Sequence, residues 1–127
     1  MPFRDRPWTL ENVAAGPDYS VVDVRLTAGL SIPAHVTEGE DLFVHILEGE
    51  VELVRDGRNQ RLTAGTVARI ARGLPRRMTV LADARLLLTS VPGGINRLTA
   101  IAADPSLDAD DRAALLAAAG VVRVPAA

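Results

Sequence analysis

Two glycine-bounded segments decide the fold of this chain: residues 29–37, with the sequence GLSIPAHVT, and residues 65–76, with the sequence GTVARIARGLPR. Both combine turn-forming glycine and proline with apolar and β-branched residues. Outward from them, glycine and proline interrupt the chain about every 8 to 20 residues. The stretches between these interruptions are short and rich in Val, Ile, Leu and Thr. Such spacing is typical of a β-sandwich or β-barrel.

The segments between turns predict about seven or eight strands. In residues 42–47 the apolar run predicts a central strand, with Leu42, Val44 and Ile46 facing inward and Phe43, His45 and Leu47 facing the other side. Asp56-Gly57 favours a tight hairpin turn. The other predicted strands are residues 20–26, a strand through Val51 and Leu53, and residues 58–62, 66–70, 76–81 and 84–91.

The C-terminal part of the chain changes from strand-like to helical sequence. Residues 108–119 predict a helix, with Asp108 as its N-cap and Gly120 as its stop. We expect Leu107, Leu115 and Leu116 to dock this helix on the barrel, and residues 121–124 to add a short strand. The sequence thus predicts an all-β fold with a short C-terminal α-helix, in one domain over residues 1–127 with a core over residues 18–91.

Composition excludes several classes of function. The chain has 127 residues, no cysteine and a net charge of -2. This acidic balance argues against nucleic acid as a partner. All 14 basic residues are arginine, which excludes lysine Schiff-base chemistry. No apolar run is long enough to span a bilayer, and the first ten residues lack the apolar region of a secretory signal, so we expect no membrane association and a cytoplasmic location.

The two opening segments resemble the two sequence motifs of the cupin superfamily, G-x5-H-x-H-x(3,4)-E-x6-G and G-x5-P-x-G-x2-H-x3-N. Gly29, His35 and Gly49 match the first motif, where Gly49 belongs to a Leu-Glu-Gly-Glu ending. Gly65 and Gly73 match the glycines of the second. The resemblance implies a double-stranded β-helix, which is a jelly-roll barrel, and a homodimer.

The metal ligands of the family are mostly replaced. Metal-dependent cupins use two His and one Glu of the first motif and one His of the second. Here only His35 matches, because Thr37, Leu42 and Arg76 stand at the other three positions. One imidazole and one hydroxyl fall short of the three or so ligands that a transition metal needs. We therefore expect no metal and no other cofactor.

A rearranged metal site is the alternative. A one-residue β-bulge would bring Asp41 into the Glu position, and His45 would then supply a second nitrogen. The rearranged ligands would be His35, Asp41 and His45. This arrangement breaks the strand alternation that places His45 on the face opposite to Leu42.

The predicted ligand site is an apolar cavity with few polar groups. We expect the ligand to contact His35, Thr37, Leu42, Val44, Ile46, Arg76 and Met78. His35 is either a general base or hydrogen-bonding group, or a histidine that only packs in the barrel. If Arg76 points inward, it either pairs with an acid, for which Asp41 and Glu40 are the candidates, or binds an anionic ligand. The alternative, which we favour, is that Arg76 lies with Arg77 on the solvated rim. Thr37 is likewise expected at the rim, and Glu38, Glu40 and Asp41 in a solvated acidic loop.

Four functions remain open at this point. The first is a cupin-like protein that has lost the family metal site and binds a small molecule such as a carboxylate. The second is a metal-independent isomerase, epimerase or cyclase, in which His35 is the general base and Arg76 stabilises an enolate or carboxylate. A metal-dependent dioxygenase with a rearranged site is the third, and the residues argue against it. A purely structural, dimer-forming protein is the fourth.

Overall fold

The computed structural model of the chain describes residues 8–124. The prediction about a secretory signal therefore falls largely outside the described residues. Within them the chain forms eight strands and two helices. In chain order these are β1 (Trp8–Ala15), β2 (Ser20–Leu26), β3 (Ser31–Thr37), β4 (Asp41–Arg55), β5 (Arg58–Thr63), β6 (Val67–Ile70), β7 (Arg76–Val91), α1 (Ile95–Ala103), α2 (Ala109–Ala118) and β8 (Val121–Arg123).

Two long antiparallel strands, β4 and β7, form the centre of the barrel and pair with each other along nearly their full length. On its other edge, β4 pairs first with β6 and then with β5. The other edge of β7 pairs first with β3 and then with β2. Strand β1 extends the sheet beyond β2, and β8 extends it beyond β3. The arrangement is a double-stranded β-helix, as the resemblance to the cupin superfamily implies.

The strand predictions differ from the structure in two ways. Residues 42–47 and the strand through Val51 and Leu53 are parts of one strand, β4, and residues 76–81 and 84–91 are both parts of β7. The separation predicted between these two segments of β4 does not occur, because the chain passes through Gly49 with register shifts between Ile46 and Val51. The positive φ of 85° at Gly49 lets the strand bend there without ending. Strands β1 and β3 were not predicted as strands.

The barrel interior is filled by apolar side chains from both central strands. Leu42, Val44 and Ile46 keep 3%, 1% and 0% of their surface exposed, which matches the predicted alternation along this strand. They belong to a single core cluster with residues of β2, β5, β6, β7 and α1. The core is therefore a packed interior of the kind found in small barrels.

Helix α1 was not predicted, because its N-terminus is capped by serine side chains of β2 and β7 and not by its own N-cap residue. Gly94 at its N-cap has no side chain to accept a hydrogen bond. Instead, the buried Ser20 Oγ accepts from the backbone N–H groups of Gly94 and Ile95, at 2.9 and 3.1 Å. Ser90 Oγ also accepts from Ile95, at 3.0 Å. Two strands thus supply the capping groups that a local sequence signal would otherwise reveal.

Replacing Ser20 by alanine should therefore destabilise the protein by about 1 to 3 kcal/mol, the cost of leaving a buried donor without a partner. The N–H of Gly94 would lose its acceptor, whereas Ile95 would keep Ser90. Urea unfolding measures the change. The exposed Ser31 provides the matched control, and Ser31→Ala should change stability by less than about 0.5 kcal/mol. Equal effects of the two substitutions would contradict the capping role.

Helix α2 was predicted correctly, but its docking was not. Asp108 caps it as expected, accepting from the N–H of Asp111 at 2.8 Å, and Gly120 follows with a φ of 90°. However, Leu115 is 46% exposed, and the helix packs against β8 and α1 instead of the barrel core. Because α1 fills the place next to β1 and β2, α2 forms an outer layer. No helix of the described residues is long and apolar enough to cross a membrane.

Candidate functional site at the barrel mouth

His35 lies between two arginines on neighbouring strands. Within β3 it pairs with Arg76 of β7 on one side and with Arg123 of β8 on the other. Residues directly opposite each other on adjacent strands project from the same face of a sheet. The pairing therefore brings the imidazole of His35 next to the guanidinium of Arg76. The charges of Arg76 and Arg123 both affect the protonation of His35.

The protonation state of His35 follows from this environment. Burial, and then the charge of Arg76, lower its pKa from 6.5 to about 4. Nδ1 lies 2.8 Å from the carbonyl oxygen of Pro33, which can only accept, so Nδ1 carries the proton. At neutral pH the ring is uncharged, and Nε2 is left as a hydrogen-bond acceptor.

The lowered pKa of His35 predicts a pH dependence of stability. The unfolded chain binds a proton at His35 below about pH 6.5, while the folded protein does so only below about pH 4. The free energy of unfolding is therefore unaffected by His35 above pH 6.5. It decreases as the pH falls toward 4, by at most about 3 kcal/mol, because the unfolded chain binds the proton more tightly.

A His35→Gln variant should lose this part of the pH dependence, because glutamine does not titrate. Urea unfolding between about pH 4 and 8 measures the difference from the unsubstituted protein. Carboxylates titrate in both proteins, so the difference reports His35 alone. A His45→Gln variant is the control and should keep the pH dependence; a parallel response of the two variants would contradict the assignment.

Arg76 points into the barrel, which corrects the expectation that it lies on the solvated rim. It is 6% exposed and shares its strand face with the buried Met78 and Val80, whereas Arg77 faces solvent. Burial lowers the pKa of Arg76 to about 10, so it stays charged at neutral pH. Within residues 8–124, its side chain has no ion pair within 4 Å, and its Nη1 atom has no hydrogen-bond partner.

Glu40 is also buried, at 7% exposed, so only part of the predicted acidic loop is solvated. A methyl group added to Gly94 would lie 3.8 Å from its Cδ, which places this carboxylate beside the start of α1. Burial raises the pKa of Glu40, and the charges of Arg97, Arg72 and Arg76 oppose that rise. Its Oε2 atom has no hydrogen-bond partner in the part of the chain that the structure describes.

Asp41 has a different role from its neighbour. Its Oδ1 accepts from the backbone N–H of Arg72 at 2.8 Å and from Nε of the same residue at 3.3 Å, and its Oδ2 lies 3.6 Å from Arg69. The hydrogen bonds from Arg72 lower the pKa of this carboxyl group. Asp41 therefore ties β4 to the turn before β7 and is not a partner of Arg76. Glu38 is exposed, as expected.

The remaining predicted ligand contacts are packed in the interior. Thr37 is 2% exposed and not at the rim, because its carbonyl oxygen accepts from Gly73 N–H and so holds β3 against residues 71–75. Met78 is 8% exposed and lies in the same core cluster as Leu42, Val44 and Ile46. Ligand contact at these five residues stays a prediction, since side chains that close to complete burial leave little surface for a ligand to touch.

The polar groups gather at one end of the barrel, which we term the barrel mouth. It comprises His35, Arg76, Arg123, the loop of residues 38–40 and residues 71–75, together with the first residues of α1. Sequence reasoning did not find the buried position of Glu40. Glu40 lies beside the start of α1, so its burial could be predicted only if α1 itself were predicted, and the N-cap residue of α1 gives no such indication.

The residues at the mouth do not fit the metal site of related barrels. A charged guanidinium and the apolar Leu42 occupy two of the ligand positions, and no three His, Cys, Asp or Glu side chains of the described chain form a group able to hold a metal. The rearranged set of His35, Asp41 and His45 is not assembled, because β4 runs in regular register from Asp41 to Ile46 without the required bulge. His45 stays on the face opposite to Leu42.

Comparison with known proteins identifies the family. The cupin domain family matches residues 22–92, more than half of the chain, and the protein therefore belongs to the cupin domain family. Among curated proteins, none matches this sequence.

Solved structures share the fold. KdgF from Halomonas sp. superposes with a TM-score of 0.68 at 21% identity, covering 72% of this chain and 84% of that one. The cupin domain of Cnp3 from Schizosaccharomyces pombe gives a TM-score of 0.64 at 17% identity, covering 73% and 70%. An RmlC-like cupin protein from Desulfovibrio desulfuricans gives 0.60 at 27% identity, covering 69% and 85%.

Proposed function

We propose that this protein binds a small molecule that bears a carboxylate, without a metal ion, and that Arg76 at the barrel mouth is the group that binds the carboxylate. The observation that carries the proposal is the burial of this guanidinium without an ion-pair partner within 4 Å in the described chain. Buried charges in proteins are nearly always paired, because an unpaired one is strongly unfavourable. A carboxylate ligand would supply the missing partner through charge-assisted hydrogen bonds.

The electrostatic surroundings of Arg76 favour an anion. The whole chain has a net charge of -2, but the barrel mouth is rich in arginine. The positive charges of Arg97, Arg72 and Arg76 affect the pKa of Glu40, and that of Arg123 affects the pKa of His35. His35 is neutral at physiological pH and therefore adds no further cation. A local excess of positive charge at the end of a barrel raises the local concentration of an anionic ligand.

The packed core limits where the ligand sits. Since Val44 and Ile46 have almost no exposed surface, we place the ligand at the barrel mouth, above the core. Any apolar part of the ligand would contact Met78 and Leu42, which are the most exposed of the predicted apolar contacts. Deeper entry would require core side chains to move apart.

Propionate and its neutral analogue propionamide test the proposal. We expect propionate to stabilise the protein against thermal unfolding and propionamide not to, because only the native state binds the anion. Arg76→Gln should weaken propionate binding on the order of 10-fold or more, the equivalent of one lost charge-assisted hydrogen bond.

The adjacent Arg77 provides the control, since it is exposed on the opposite strand face. Arg77→Gln should bind propionate as the unsubstituted protein does. Equal weakening in both variants would mean that binding reflects general surface charge. Equal stabilisation by propionate and propionamide would contradict an anion site.

A metal-independent isomerase is the second candidate, supported by the free acceptor at Nε2 of His35. Nδ1 is fixed by Pro33, so Nε2 is the atom that would remove a proton from a substrate. Its pKa of about 4 makes it a weak base, which favours binding over catalysis. If the protein is an enzyme, His35→Ala should abolish turnover while Arg76-dependent binding of propionate persists.

A further inference from the structure

We infer that the ligand at the barrel mouth is a carboxylic acid with a hydroxyl group next to its carboxylate, and that it links Arg76 to Glu40. This inference rests on the proposed function and specifies its ligand class. The observation behind it is that the barrel mouth holds two buried groups of opposite charge, each with a polar atom that has no partner in residues 8–124.

The two groups are near each other but do not form an ion pair. Each influences the protonation of the other, yet no nitrogen of Arg76 lies within 4 Å of an oxygen of Glu40. They are 6% and 7% exposed, so bulk water does not satisfy Arg76 Nη1 or Glu40 Oε2. Buried polar groups in native proteins almost always have partners. One molecule placed between them would supply a partner to both atoms.

The chemistry of the bridge follows from what each group can do. A guanidinium only donates hydrogen bonds, and an ionised carboxylate only accepts them. The bridging molecule must therefore present an acceptor to Arg76 and a donor to Glu40. A carboxylate with an adjacent hydroxyl has both within one small unit. Nε2 of His35 is a second acceptor that a further hydroxyl would reach.

A hydroxyl fits the donor position better than an ammonium group. Arg97 and Arg72 already place positive charge around Glu40, and Arg123 does so around His35. An ammonium group would be repelled by these arginines, whereas a hydroxyl donates without carrying charge. The expected ligand class is thus a hydroxy acid and not an amino acid.

Lactate, propionate and alanine test this inference, because they share one carbon skeleton and differ only in the substituent next to the carboxylate. Isothermal titration calorimetry on the full chain measures their affinities. We expect lactate to bind on the order of 10-fold more tightly than propionate, the size of one hydrogen bond to a charged group, and more tightly than alanine. The gain should disappear largely in Glu40→Gln, whose neutral oxygen is a weaker acceptor. Glu38→Gln is the matched control, since Glu38 is exposed.

The outcomes separate this inference from the proposed function. Equal binding of lactate and propionate, or a lactate advantage that Glu40→Gln leaves unchanged, overturns the hydroxyl bridge, while the carboxylate site at Arg76 stands. Tighter binding of alanine overturns the choice of a hydroxyl group. Failure of propionate to bind in an Arg76-dependent manner overturns the proposed function itself. If Glu40→Gln does not fold, the ratio of lactate to propionate affinity in the unsubstituted protein decides.

Discussion

Replacing Gly49 by alanine is expected to destabilise the fold by about 4 kcal/mol or more, or to prevent folding altogether. A Cβ atom at this position would lie 2.1 Å from the carbonyl oxygen of Asp83 and 2.6 Å from the Cα atom of Ala84. Favourable carbon contacts require about 3.5 Å. Both obstructing atoms belong to the backbone of β7, so no side-chain rotation relieves the clash. The two central strands would have to separate where they bend.

The substitution Gly57→Ala isolates the contribution of the clash. Gly57 also has a positive φ, 72° against 85° for Gly49, but nothing lies within 4 Å of a Cβ atom built on it. It should therefore show only the backbone cost of a left-handed conformation, about 1 to 2 kcal/mol. Urea unfolding of both variants gives the comparison. Similar losses would mean that the central strands tolerate separation, and that the close approach at Gly49 does not hold the barrel together.

The fold was predictable from the sequence where local signals carried it. The turn at Asp56-Gly57, the alternation of Leu42, Val44 and Ile46, and the cap at Asp108 all depend on neighbouring residues, and the structure confirms each. Gly49 shows the limit of this reasoning. A glycine within a strand-like sequence indicates either an end or a bend, and the choice depends on the partner strand β7, which is distant in sequence.

The candidate site was only partly predictable for the same reason. The motif spacing identified His35 and Arg76, but the direction of Arg76 depends on which face of β7 meets the core. The burial of Glu40 depends on α1, whose cap comes partly from Ser20, which is 75 residues before Ile95 in the sequence. Tertiary contacts of this kind leave no periodic pattern, so sequence reasoning placed Glu40 in solvent.

The buried charges at the barrel mouth lead to a prediction opposite in sign to that for Gly49. The double variant Glu40→Gln/Arg76→Met should be more stable than the unsubstituted protein by about 1 to 4 kcal/mol, because it removes two charges whose burial is unfavourable; replacing buried ionic groups by hydrophobic residues of similar volume gives gains of this size. Methionine fills the space of the arginine stem, and glutamine retains the shape of Glu40. Changing both avoids leaving a buried carboxylate without the charge that favours its ionised form.

The exposed neighbours of these residues provide a matched control. Glu38→Gln/Arg77→Met makes the same chemical changes at two exposed positions, Glu38 being two residues from Glu40 and Arg77 next to Arg76. It should change the free energy of unfolding by less than about 0.5 kcal/mol. Urea unfolding of both double variants, together with propionate binding, completes the experiment. A more stable Glu40→Gln/Arg76→Met variant that no longer binds propionate would show that these charges are kept for the ligand at the expense of stability. Lower stability would instead make Arg76 and Glu40 a structural pair, and the argument for a ligand would lose its basis.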